Sequence, residues 1–233
     1  MPSVPISAGR MNLWVRKPFV IKLKSLFSYI ELTIETARDA IFDKWYRLDF
    51  GGRIFNTTLV TDHADSLPHT NGYEACQGIQ LRMIIDEAMR DGINFDTFID
   101  IGCGKGKACL YARHEYSFKR VIGLDFSPPL IAIAEENAKK LGMTDVELIT
   151  EDATTYALPP GNTLVFMYNP FDAGIMEAFL RFNLEHFRQN QSVIAYMNDH
   201  QRKTVSKLGF DMTFRDQTHK LSVFQHPDMP RIN

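Results

Sequence analysis

Residues 98–112 read FIDIGCGKGKACLYA. A short apolar run carrying Asp100 leads into Gly102, Gly104 and Gly106 on alternate positions, and a helix-like run starts at Lys107. Glycine has no Cβ, so such a turn takes unusual dihedrals and lets the backbone touch a flat ligand. A phosphate-cradling loop needs G-x-x-x-x-G-K-[ST]. Here Ile101 stands five positions before Gly106, and Ala108 follows Lys107. A dinucleotide fingerprint needs a third glycine at 107, which is lysine. What remains is D-x-G-x-G-x-G. A pyrophosphate at the helix start would meet repulsion from Asp100. A ligand with a cationic end, such as an ammonium beside a sulfonium, suits that acid.

Outward from this turn the pattern alternates. Strands are predicted at 97–101, 120–125, 145–150, 163–168 and 192–197, with helices at 79–89, 107–115, 129–141, 173–188 and 199–207. Short apolar strands between helices predict βαβ units and a parallel sheet covered on both faces. The runs 209–215 and 219–225 lie too close for a crossover, so they predict a closing hairpin with an antiparallel strand.

The other regions read differently. Residues 1–18 look like a loose arm, and apolar spacing from Phe19 to about Trp45 predicts a helical N-terminal extension. Residues 51–78 are rich in breakers, as functional loops are. This divides the chain into 1–50 (arm and helical extension), 51–78 (lid or substrate loop), 79–226 (core) and 227–233 (tail).

The totals bound the function. The 233 residues carry a formal net charge of -2, which argues against a constitutive duplex nucleic-acid binder. Three cysteines form no C-x-x-C pair and fit a reduced, cytoplasmic setting. The first thirty residues hold Arg10, Arg16, Lys17, Lys22 and Lys24 and no acid. A helix with a solvated basic face is the simpler reading, and docking to a membrane surface the sharper one. Seven histidines are scattered without metal-ligand spacing, so no metal is expected.

FIDIGCGKGKACLYA, then VIGLDFSP, ITEDA and MYNPF, resembles the class I, seven-strand S-adenosylmethionine-dependent methyltransferases over residues 70–226. It is most similar to small bacterial members of unassigned substrate with a Y-N-P-F element. The segment GYEACQGIQLRMIIDEA also resembles the lead-in of the non-SET histone lysine methyltransferases. The resemblance implies a Rossmann-like, doubly wound, mostly parallel sheet of strand order 3-2-1-4-5-7-6. It implies S-adenosyl-L-methionine as cofactor and S-adenosyl-L-homocysteine as product.

It also implies contacts. Asp100 and the backbone of Gly102, Cys103, Gly104 and Gly106 would hold the methionine portion. Asp125 would accept from the ribose hydroxyls and Phe126 would lie on the adenine. Asp152 and the Ala153 amide would meet the adenine edge, and Tyr73 or Glu74 would close over the cofactor. Asp125 and Asp152 also read as ordinary strand-end acids, Cys103 as a residue lending only its backbone, and Lys105 and Lys107 as solvated lysines. In amino-methylating relatives a [DN]-P-P-[YF] element takes the target amine. Tyr168 and Asn169 stand there as catalytic candidates, with Asn169 also able to touch the methionine end and Phe171 able to be core. The second proline is missing, which puts a nucleobase in doubt. Asp62, His63 and His69 are candidates for a base. The expected activity is methyl transfer to a nitrogen or oxygen of a small molecule or protein. A non-catalytic binding module and a nicotinamide-dependent oxidoreductase are the alternatives.

Overall fold

The computed structural model describes Thr33, Ala37, Arg38, residues 40–61 and residues 67–230. The expected helix start at Phe19, the basic residues 10–24, and Asp62 and His63 lie outside these.

Two short strands, β1 (Arg53–Ile54) and β2 (Tyr73–Glu74), pair antiparallel within the stretch expected to be a loop. The core follows as α1 (Gly78–Ala88), β3 (Thr97–Ile101), α2 (Lys107–Glu115), β4 (Arg120–Asp125), α3 (Pro128–Lys140), β5 (Val146–Thr150) and β6 (Thr163–Tyr168). Next come α4 (Ala173–Phe182), α5 (Leu184–Gln189), β7 (Val193–Met197), α6 (Arg202–Lys207), β8 (Asp211–Asp216) and β9 (Leu221–Gln225). The seven-stranded sheet runs β5-β4-β3-β6-β7-β9-β8, which is the expected order. Strands β3 to β7 pair parallel, and β9 is antiparallel to both β7 and β8.

The apolar strands are explained by burial on both faces. Phe98 and Phe166 join the side chains of α1, α2 and α3 in one core. Their neighbours Ile99, Ile101, Val165 and Met167 join α4, α5 and α6 in the other. Successive side chains point to opposite faces, so one strand feeds both cores. Strand β3 has β4 on one side and β6 on the other, so the order reverses there. A crevice opens at the carboxyl ends of strands at such a switch point, and the glycine turn lies there.

Several boundaries differ from expectation, and three of the differences have a visible cause. The helix predicted at 173–188 breaks at Asn183, which is buried. Its amide accepts from Leu158 N and donates to the carbonyls of Tyr156 and Phe179, so it serves the chain beneath it. The helix predicted from 199 begins at Arg202, because Asp199 is buried and accepts from Arg215 and Ser222. In the hairpin, Asp216 belongs to β8, and its carboxylate caps the turn by accepting from the N–H groups of Thr218 and His219.

Candidate active site

A cleft of about 310 Å³ lies over the carboxyl ends of β3, β4 and β6. Its floor is the glycine turn. Gly102 and Gly104 have φ of +81° and +55°. A Cβ on Gly102 would stand 2.5 Å from Pro170, and one on Gly104 would stand 2.3 Å from the Tyr73 ring. These two glycines are required by close approach as well as by dihedral. Gly106, also expected at the cofactor, lies outside the cleft lining. It starts α2 at φ +84°, and its missing Cβ leaves room for Ala134 of α3.

Two carboxylates define the electrostatics. Asp100 is 3% exposed, and its Oδ1 has no hydrogen-bond partner. Burial, and then the nearby Asp125 charge, push its pKa well above the usual carboxylate range. An orphaned buried acceptor is costly, and a cation at hydrogen-bond distance would relieve it. Asp125 accepts from Ser127 N through Oδ1 and from Gly104 N through Oδ2, each at 2.9 Å. Burial still pushes it up to about 6, against those backbone donors. Each oxygen keeps a second lone pair, as a diol would need.

The adenine end is built from Phe126, Asp152 and Ala153, all of which line the cleft. Asp152 Oδ1 already accepts from Thr154 N and Oγ1, which fixes that turn. Phe126 packs with Leu59, Tyr73 and Leu130, and its carbonyl accepts from Thr61 Oγ1 at 2.7 Å. Residues 50–61 and 67–76 therefore fold over the cleft. Tyr73 is buried, and its hydroxyl donates to the carbonyl of Phe50 at 2.8 Å. Glu74 is exposed at the rim and lines the cleft. Cys103 also lines it, but hydrogen bonding with Cys109 and burial push its thiol well up, which suits a residue lending its backbone.

The substrate-side acceptors already have partners within the protein. Asn169 adopts φ 43°, and its Oδ1 accepts from the Tyr196 hydroxyl at 3.1 Å. Tyr196 in turn accepts from Gln201 N at 3.1 Å. The carbonyl of Asn169 accepts from Asn71 Nδ2 at 2.9 Å, and that of Pro170 from Asn71 N at 3.1 Å. The acceptors expected to catch an amine are thus engaged by the protein's own donors. Tyr168 is half-buried, and burial followed by the Glu74 charge raises its pKa. Phe171 is buried and pairs through Thr70 in an isolated bridge. His69 Nδ1 lies 2.7 Å from Asp172 Oδ2 and is absent from the cleft lining.

Lys105 and Lys107 differ from the solvated lysines expected. Their side chains are 8% and 15% exposed, and they reach Asp49 and Asp43 respectively. Sequence reasoning also missed Asn71, Asn198 and His200, which line the cleft. None carries a motif; they arrive by the return of distant loops to the strand ends.

Residues 95–198 match the family described as "Methyltransferase domain". The matched segment is the one that builds β3 through β7. Two curated plant proteins are similar to part of it. The probable (S)-tetrahydroprotoberberine N-methyltransferase 2 of Papaver bracteatum is 37% identical over 68 residues, which is 29% of this chain and 18% of that protein. The (S)-coclaurine N-methyltransferase of Thalictrum flavum subsp. glaucum is 33% identical over 63 residues, 27% of this chain and 18% of that protein. The match thus spans less than a fifth of each relative's length. The structure of TrmN from Thermus thermophilus shares the fold at 14% identity and a TM-score of 0.52, covering 65% of this chain and 49% of that one.

Proposed function

We propose that the protein binds S-adenosyl-L-methionine in this cleft and transfers its methyl group to a nitrogen or oxygen nucleophile of a small molecule or protein. The observation that carries the reading is the unpartnered Asp100 Oδ1, 3% exposed, in the same cleft as Asp125. Buried carboxylates at both Asp100 and Asp125 suit a cationic nucleoside and repel a diphosphate.

The cofactor, when bound, supplies a methyl group on a sulfonium, whose departure as a neutral thioether needs little help from acid or base. Asp100 and the Gly102–Gly104 backbone would orient its methionine end. Asp125 would grip the ribose, and Phe126, Asp152 and Ala153 would hold the base. Tyr73, packed on Gly104, would exclude water. The acceptor side consists of Tyr168, Asn169, Asn198 and His200.

The curated relatives are named N-methyltransferases, which favours nitrogen. An amine would use the second lone pair that the carbonyls of Asn169 and Pro170 each keep beside their Asn71 donor. The same engaged acceptors are what a non-catalytic binding module would show. Incubation with methyl-labelled cofactor and fractionated metabolites or proteins separates the two. A labelled product heavier by one methylene supports transfer. Cofactor binding with no labelled acceptor across broad conditions supports the module.

A further inference from the structure

The helical residues 40–45 present their chemistry in reverse of an ordinary surface helix. The acid faces inward: Asp43 is half-buried, with Oδ2 4.0 Å from Lys107 Nζ. The apolar residues face outward. Ile41 and Trp45, one helical turn apart, are 67% and 81% exposed. Phe42 and Tyr46 form a second exposed stripe, with ring centroids 4.8 Å apart. Arg38, Lys44 and Arg47 are exposed around this patch.

We propose that this face docks the protein on an anionic lipid bilayer. Trp and Tyr suit the boundary between headgroups and acyl chains, because each has an apolar body and a polar tip. The charge is complementary. Between residues 37 and 47 the acids are Asp39 and Asp43, and Asp43 is turned to Lys107. Over residues 1–47 the sequence holds eight bases against four acids, Glu31, Glu35, Asp39 and Asp43. A second copy of the chain fits less well. In a two-fold contact each basic rim would meet its own image, and like charges would oppose each other. A bilayer bearing phosphatidylglycerol satisfies the apolar stripe and the bases together.

The test is co-sedimentation of the full chain with vesicles of phosphatidylcholine alone and of phosphatidylcholine mixed with phosphatidylglycerol. Binding is expected to the mixed vesicles, at least about tenfold weaker to the neutral ones and falling with salt. The pair Ile41→Ser and Trp45→Ser should lose about tenfold or more while keeping its circular dichroism. Should that pair unfold, Lys44→Glu with Arg47→Glu tests the same face through charge, with the same loss expected. In a Trp14→Phe background, Trp45 emission should shift to the blue on mixed vesicles. No sedimentation with mixed vesicles, equal binding to neutral ones, or undiminished binding by the substituted proteins would overturn the proposal. So would light scattering that shows a dimer broken by Ile41→Ser and Trp45→Ser together with no vesicle binding.

Discussion

The Lys105 ammonium, on the glycine turn, lies 2.7 Å from Asp49 Oδ1 and 2.7 Å from the carbonyl of Gly51. It also stands 5.3 Å from the centroid of the Tyr73 ring. Asn137 completes the joint. Its amide accepts from Asp49 N and donates to the carbonyls of Asp49 and Lys105. The turn that floors the cleft is therefore the anchor of the segment that covers it. Coupling between two sites is reciprocal, so whatever steadies the turn steadies residues 49–54.

Lys105→Met tests that joint. Cleavage by trypsin at Arg47 and Arg53 should quicken, and S-adenosylhomocysteine should bind about 5- to 100-fold more weakly. Added S-adenosylhomocysteine should slow cleavage of the wild type and do so less for the variant. Unchanged proteolysis would show that the segment holds without the lysine.

Asp100 and Asp125 should make the ligand-free protein less stable as pH rises. Both carboxyls have folded pKa values above their unfolded ones. Their contribution is full below about pH 4 and is lost as pH climbs through the folded values, about 6 for Asp125. For Asp125 the span corresponds to roughly 3 kcal/mol. Thermal unfolding between pH 4.5 and 7.5 (roughly, the window in which these groups ionise) should show the decline, and Asp100→Asn should flatten it. The same variant should lose cofactor affinity, so stability and binding move in opposite directions.

Gly104→Ala should disrupt the site more than its size suggests. The added methyl group would meet the Tyr73 ring at 2.3 Å, on a backbone at φ +55°. Strain of this kind costs about 1–3 kcal/mol, and Tyr73 must leave the turn. Melting temperature and quenching of cofactor binding measure the two effects.

Tyr196→Phe removes the donor that fixes the Asn169 amide while keeping the buried ring. A loss of about 1 kcal/mol in stability is expected. Once an acceptor is in hand, transfer should fall more than cofactor affinity does. A fall in affinity alone would place Asn169 at the methionine end only.

The fold was legible because its decisive signals are local. D-x-G-x-G-x-G marks one turn, and the apolar runs at 97–101 and 163–168 mark strands buried on both faces. That Asp125 and Asp152 line the cleft was legible for the same reason, since each ends or follows a strand. Asn183 was not, because its role depends on Leu158 and Tyr156, twenty-five and twenty-seven positions away. Lys105 and Lys107 look solvated in a sequence, and only the return of residues 43–51 buries them. Asn71 was hidden likewise: its partners are the carbonyls of Asn169 and Pro170, and tertiary hydrogen bonds leave no periodicity to read.

Titration calorimetry with S-adenosylhomocysteine on the wild type and on Asp125→Ala tests the central claim most directly. The account predicts one site per chain in the wild type, weakened about ten- to a hundred-fold by the substitution, and no heat with NAD. Heat with NAD, or equal affinity in the two proteins for S-adenosylhomocysteine, would contradict it.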